Sequence, residues 1–189
     1  MKKVINKLSA EEFKLLVGSL RYTCRQLCLR KIMQDRVSGE PWQKFPDIWS
    51  AIIISLRNYY LINLAKIFDK ESYYGDKITL SIFRAIPKSN FSLKNQKTID
   101  NILRMRRELL AHFESKVLSQ GNLSERDYDL DDGSLGSKKI EDLIDETFIL
   151  LSNYGYAGEL KREQEKKYVE ERFSEWYKAF IDHKPNKHK

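Results

Sequence analysis

Residues 48–68 read IWSAIIISLRNYYLINLAKIF, a run that carries apolar side chains on almost every face of a helix. Such a helix lies in the centre of a fold, or is covered partly by its own fold and partly by another chain. Arg57 and Lys66 interrupt the run, and a bilayer core tolerates such residues poorly, so a membrane span is excluded. The helix begins at Pro46 and is predicted to end near Asp69. The sequence therefore predicts a helical domain built around this segment.

Four further segments with apolar residues at helical spacing flank this one. The first opens with Ser9 and Glu12, the Ser-x-x-Glu capping box typical of a helix N-terminus. Only eight glycines and four prolines are present, which favours long helices joined by short breaks. We expect an all-α fold, a five-helix and mainly antiparallel bundle, with one domain over residues 1–182 and a flexible tail over 183–189. The predicted helices cover residues 9–36, 46–69, 94–118 and 138–154, and a fifth begins near Ala157.

The segments between the helices are interpreted from their turn residues. Tyr73–Asp76 is predicted to be a loop, and Thr79–Ile86 a short helix that Pro87 stops. Glu125–Gly136 is acidic and has few apolar residues, which predicts a mobile loop whose deletion leaves the fold intact. No stretch alternates apolar and polar residues for long enough to predict a sheet.

Positive charge is concentrated in the first two thirds of the chain. Residues 1–120 hold 22 lysines and arginines against 11 acidic residues, whereas residues 121–189 hold 12 against 16. The formal net charge is +7. A basic surface of this kind is either the solvated side of the helices or the binding face for a polyanion. Charge alone does not separate RNA, DNA and acidic protein as the partner.

Cys24 and Cys28 are the only two cysteines, and they lie one turn apart in the first predicted helix. A zinc site needs about four ligands, and no histidine lies nearby in the sequence. A disulfide framework needs more pairs and a secretory context, and the N-terminal residues lack the apolar run of a signal peptide. We therefore expect free thiols, no metal, no cofactor and a cytoplasmic protein.

The third predicted helix carries basic residues on an apolar face. At 100° per residue, Arg106 falls near the centre of that face, with Arg107 about 100° to one side and His112 about 120° to the other. Glu108 points largely opposite. A guanidinium among apolar side chains is costly unless it pairs with a carboxylate, reaches solvent or receives a phosphate. The apolar face consists of Ile99, Ile102, Leu103, Leu109, Leu110, Phe113 and Val117.

Residues 103–113, LRMRRELLAHF, resemble the defining motif of the HEPN superfamily. That motif is an arginine, often followed by a polar residue, and a histidine four to six residues further along, on a late helix of a helical bundle. The Ala111–His112 pair resembles the AbiU-like branch, known from phage-abortive systems, as do residues 56–69 of the second helix. The resemblance covers residues 49–113 well and the rest of the chain by helix order.

This resemblance implies a metal-independent endoribonuclease. The RNA supplies its 2′-hydroxyl as the nucleophile, His112 moves a proton near neutral pH, and an arginine holds the scissile phosphate. In this superfamily two protomers usually combine their Arg–His pairs in one cleft, which implies a homodimer with the third helices in contact. Arg107 leaves four residues before His112 and has Glu108 as its polar neighbour, whereas Arg106 leaves five and has Arg107. Both assignments stay open.

The remaining expectations concern Asp69 and the biological role. Asp69 is expected to orient His112, to pair with Arg106, or to be an ordinary carboxylate at a helix end. The resemblance implies a toxin-like or anti-phage effector with RNA as its substrate, and a cognate antitoxin or a nucleotidyltransferase-type protein as a further partner. The alternative is a non-catalytic HEPN dimer that binds such a protein or acts as a nucleic-acid-binding scaffold. A helix-turn-helix regulator is disfavoured because no short helix pair with a glycine turn is present.

Overall fold

The computed structural model describes residues 8–36, 45–70, 73–74, 78–79, 81–115, 136–153 and 162–182. Within these ranges the chain forms five α-helices, which confirms the prediction of a helical bundle. The acidic segment before Gly136 and the predicted tail lie outside the described residues, as do the side chains of the third helix beyond Arg107. The helices are α1 (Ala10–Arg36), α2 (Pro46–Phe68), α3 (Leu93–Ser115), α4 (Ser137–Asn153) and α5 (Arg162–Asp182).

The helix ends follow the local sequence signals. The Ser9 backbone amide donates to Glu12 Oε2 at 2.7 Å, and the Glu12 amide donates to Ser9 Oγ at 3.1 Å, which confirms the capping box. Proline at the first position of α2 costs no hydrogen bond, because the amide there has no partner within the helix. At the other end Asp69 adopts an extended backbone, with φ −80° and ψ 134°, and stops the helix.

Helix α2 is central, as its composition predicts. It packs against both α1 and α3, and α1 also packs against α5. Tyr22 of α1 meets the ring of Tyr59 of α2 edge-on, with the ring centroids 5.8 Å apart. The described part of the chain leaves one side of α2 uncovered, since Ile48, Ile52 and Tyr59 are exposed. The inner side buries Trp49, Ile53, Tyr60, Leu61, Leu64, Ala65, Ile67 and Phe68.

The connection from α2 to α3 differs from the prediction. Tyr73–Tyr74 (β1) pairs antiparallel with Ile78–Thr79 (β2), where a loop and the start of a short helix are predicted. Aromatic and β-branched residues favour this extended pairing. The helical part of the predicted segment is a single 3₁₀ turn, Ile82–Arg84.

Three phenylalanines join the end of α2 to the start of α3. The Phe68 ring centroid lies 6.0 Å from that of Phe83 and 5.8 Å from that of Phe91. Phe83 and Phe91 also meet, with centroids 6.5 Å apart. Offset and edge-on aromatic contacts of this kind add about 1 kcal/mol each to the burial of the rings. The cluster fixes the position of Asp69, the next residue after Phe68, relative to α3.

Glu146 of α4 anchors the first turn of α3. Its carboxylate accepts hydrogen bonds from the Ser92 amide at 2.8 Å, the Ser92 hydroxyl at 3.1 Å and the Asn95 side-chain amide at 2.5 Å. A carboxylate at a helix N-terminus also interacts favourably with the helix dipole. The contact sets where α3 begins relative to α4, and so where its later residues lie.

Helix α5 leaves two of its aromatic side chains at the surface. Tyr168 and Trp176 are 43% and 48% exposed. The inward contact is made by Val169 and Phe173, which are buried. Because α5 packs on α1 through this narrow stripe, the flanking aromatic rings remain at the surface. Helix α4 buries apolar residues at helical spacing, namely Ile140, Leu143, Ile144, Phe148 and Leu151.

Candidate functional site

The helix-end carboxylate and the motif helix meet at one contact. Arg106 Nη1 of α3 donates a hydrogen bond to Asp69 Oδ2 at the end of α2. About a quarter of the Arg106 side chain and a third of the Asp69 side chain remain exposed. Of the expected roles for Asp69, pairing with Arg106 is therefore the one found among the described contacts. The guanidinium is partly neutralised, but it keeps further N–H donors for a second anion.

Arg106 lies off the centre of the buried side of α3. Over the part of the helix whose side chains are described, Ile99, Ile102 and Met105 are buried. On a helical wheel with the buried polar residues Asn95 and Thr98 included, the centre of this side is about 45° from Arg106. This placement lets the guanidinium reach both the carboxylate and solvent, which avoids the cost of full burial.

Arg107 differs from Arg106 in its surroundings. Its side chain is exposed and makes no ion pair with any of the residues that the structure describes. No carboxylate among the described residues therefore competes with a polyanion for Arg107, while Arg106 is oriented by Asp69. The two arginines offer complementary properties, one a positioned fork and the other a charge that no described carboxylate compensates.

Glu108 and His112 belong to α3, but their side chains lie outside the described ones. The backbone alone places His112 about 9 Å along the helix axis from Arg106 and about 7.5 Å from Arg107. The assignment of the motif arginine therefore remains a prediction.

The cysteines are free and buried, as predicted. A hydrogen bond with Cys28 and burial both raise the pKa of the Cys24 thiol, whereas the same hydrogen bond lowers the pKa of the Cys28 thiol. Cys28 lines a polar pocket of about 230 Å³ together with Lys31, Glu141 and Arg162. Within the described part of the chain, no group of three or more His, Cys, Asp or Glu side chains is arranged to hold a metal.

The structure also contains a surface that the sequence does not predict. An apolar groove of about 760 Å³ lies between α1, α2 and α5. The apolar composition of α2 indicates that part of it is uncovered, but not which side. The sequence does carry a signal for this side of the helix. Spacing that alternates between four and three residues is typical of one helix face, and it relates Ile48, Ile52, Ser55 and Tyr59.

Comparisons of this chain with protein-family models, curated proteins and solved structures return no match. None of the helices described is long and apolar enough to cross a membrane.

Proposed function

We propose that this chain is a metal-independent endoribonuclease of the HEPN type that acts as a toxin-like or anti-phage effector. The observation that supports the proposal is the contact between Asp69 and Arg106, which orients a partly exposed guanidinium on the helix that also carries Arg107 and His112. A positioned guanidinium is what a phosphodiester in its transition state requires, because charge develops on the non-bridging oxygens.

The proposed reaction uses only groups of the chain and of the RNA. One His112 removes the proton from the 2′-hydroxyl, and the 2′-oxygen forms a bond to phosphorus. The bond from phosphorus to the 5′-oxygen breaks, and a second imidazole, that of the partner protomer, donates a proton to this leaving oxygen. Arg106 or Arg107 holds the phosphate throughout. The products are a 2′,3′-cyclic phosphate and a 5′-hydroxyl, so atoms and charge balance without a metal.

The test is incubation of the purified protein with total RNA in the presence of EDTA. Cleavage is expected in EDTA, with cyclic phosphate ends, and His112→Ala is expected to abolish it while the circular dichroism spectrum stays unchanged. Equal cleavage by the wild type and His112→Ala, or cleavage only after addition of a divalent metal, contradicts the proposal.

Two further variants distinguish the motif arginine. If Arg106 holds the phosphate, Arg106→Ala abolishes cleavage, whereas Arg107→Ala weakens RNA binding in a salt-dependent way and keeps measurable cleavage. If Arg107 is the catalytic residue, this order reverses. Arg104→Ala is the matched control, because Arg104 is also an exposed arginine of α3 but lies outside the Arg-to-His segment.

A second candidate function has its own supporting observation. The apolar groove between α1, α2 and α5 favours a protein-binding module, in which the HEPN-like bundle docks a nucleotidyltransferase-type or other partner without cleaving RNA. The same RNA assay separates the two functions, since a pure binding module leaves the RNA intact and His112→Ala then has no effect on partner binding.

A further inference from the structure

The groove between α1, α2 and α5 gathers most of the apolar surface that the described residues leave uncovered. Seven of the nine large apolar side chains that are exposed line this groove or the shallower depression beside it along α2. Leu93 and Ile149 are the other two. With each ring or aliphatic side chain about half exposed, the patch presents roughly 700 Å². That is close to the roughly 800 Å² that one partner contributes to a standard protein interface.

The shape of the groove matches a helix. Its floor runs along α2 from Phe45 to Leu56, and one wall runs along α1 from Tyr22 to Met33. Each span of twelve residues is about 17 Å long from first to last residue, which is the length of three helical turns. The other wall is shorter and comes from Tyr168 to Trp176 of α5. A concave, elongated apolar surface of this size accepts the apolar face of an amphipathic helix.

The described charges on the groove have one sign. Among the residues that the structure describes, the side chains that line the groove include Arg25 and Arg172, and no acidic residue. Both guanidiniums flank the ring of Tyr168, with the Arg25 Cζ atom 4.2 Å and the Arg172 Cζ atom 5.9 Å from its centroid. Two carboxylates compensate these charges only in part, because Glu165 is shared between Arg25 and Arg21, at 3.2 Å from Arg21, while Glu175 pairs with Arg172 at 3.2 Å. The wall formed by α1 and α5 therefore attracts carboxylates.

We propose that this groove binds an amphipathic α-helix of a partner protein, about three turns long, with an apolar face and acidic residues along its flank. A second copy of this chain fits less well, because two concave surfaces leave a gap and bring Arg25 and Arg172 of both copies together. The site does not depend on the proposed ribonuclease activity. It begins on the amino-terminal half of α2, and Ile52 lies about 25 Å along the helix from Asp69.

Two synthetic peptides test this proposal by fluorescence anisotropy with the full-length protein. Both are about 15 residues long, the length at which an isolated helix becomes stable, with leucines at positions i, i+3, i+4 and i+7. One carries glutamates on the flanks of the apolar face and the other carries lysines at the same positions. The acidic peptide is expected to bind about tenfold more tightly than the basic one.

Three variants tie the binding to the groove. Ile48→Asp is expected to weaken binding of the acidic peptide about tenfold, and Ile149→Asp is its control, since these isoleucines are 58% and 60% exposed and only Ile48 lines the groove. Arg172→Glu is expected to reverse the preference in favour of the basic peptide. RNA cleavage by Ile48→Asp is expected to equal that of the wild type, so failure of one proposal is visible without failure of the other.

Five results overturn the proposal. Equal binding of both peptides, or an unchanged affinity in Ile48→Asp, removes the groove as the site, as does the absence of binding by either peptide. A dimer in light scattering that Ile48→Asp converts to a monomer assigns the groove to a second copy. Peptide binding that appears only after Trp42→Ala assigns it to residues 37–44 of the same chain, which connect Arg36 to Phe45.

Discussion

The contact between Arg106 and Asp69 orients the guanidinium and adds little to the stability of the protein. Neither side chain is fully buried, so the pair resembles a surface ion pair and contributes about 1 kcal/mol at most to stability. Removal of one partner from a fully buried ion pair would destabilise a protein by several times that amount. The two residues are 37 positions apart in sequence, with Asp69 directly after α2 and Arg106 on α3. We infer that the contact contributes more to orienting the guanidinium than to holding the fold.

Asp69→Asn is expected to lower the turnover of RNA while leaving or improving its binding. Loss of the carboxylate releases the orientation of Arg106, and it also removes a negative charge that repels the phosphodiester. The melting temperature is expected to change by only a few degrees. Single-turnover kinetics with separate measurement of RNA affinity checks this. Unchanged turnover and unchanged affinity together show that Asp69 has only a structural role.

Tyr60 makes stability depend on pH at the alkaline end. Burial raises the pKa of its phenol above the ordinary value of 10.0, while the Arg30 guanidinium opposes part of this effect. Below pH 10.0 the phenol is neutral in both states and the stabilisation is constant. Above that pH the unfolded chain loses the proton first, so the free energy of unfolding falls as pH rises through the folded-state pKa.

Tyr60→Phe is expected to flatten this alkaline decrease. It is also expected to cost about 1 kcal/mol at neutral pH, because the Tyr60 hydroxyl accepts a hydrogen bond from Arg30 Nη1 at 3.0 Å. Urea unfolding at several pH values between 8 and 11, for wild type and variant, measures both effects. Tyr59→Phe is the control, since Tyr59 is the adjacent tyrosine and is 49% exposed. Parallel pH profiles of wild type and Tyr60→Phe contradict the prediction.

At the scale of the elements, three anchors determine where α3 lies. They are the phenylalanine cluster at its start, the Glu146 carboxylate at its first turn and the Asp69 contact at its middle. The phenylalanine cluster uses residues between α2 and α3, and Glu146 belongs to α4. The candidate site on α3 therefore depends on the packing of the helix ends, not only on its own sequence.

Glu146→Ala is expected to destabilise the protein by about 2 kcal/mol. The change removes three acceptor contacts, and it leaves the side chain of Asn95, which is only 4% exposed, without that carboxylate partner. Denaturant unfolding measures the loss, and Glu171→Ala, whose carboxylate makes an exposed ion pair on α5, is expected to be nearly neutral. A cost below 0.5 kcal/mol shows that water replaces these contacts without penalty.

The sequence predicts the helices better than it predicts their arrangement. Periodicity, the Ser9–Glu12 capping box and Pro46 place four of the five helices within a few residues, because these signals are local. The strand pair at Tyr73–Tyr74 and the outward aromatic rings of α5 are not predicted. Both depend on which other element of the fold covers a residue. The residue pattern of a single element does not show this. The contact of Asp69 with Arg106 is one of several possibilities in the sequence, and the structure selects it.

For the whole molecule, the proposed composite cleft requires a homodimer. The exposed apolar stripe of α2 is far from Arg106, so the ribonuclease proposal places the dimer contact on α3, where Leu110 is on the predicted apolar face. Light scattering at micromolar concentration is expected to show a dimer. Leu110→Glu is expected to give a folded monomer without cleavage activity, whereas Ile48→Asp remains dimeric and active. A wild-type monomer that cleaves RNA in EDTA contradicts the composite cleft.

The length of α2 has a consequence for how the protein changes over generations. The groove occupies its first half and Asp69 follows its last residue, so no single side chain serves both surfaces. Substitutions that alter the groove are therefore free to accumulate without altering the neighbourhood of Arg106, and the reverse also holds. A lineage of such proteins is able to exchange one binding partner for another while it keeps the same chemistry. For protein engineering, the groove is the surface at which the binding site for a new regulatory partner is introduced.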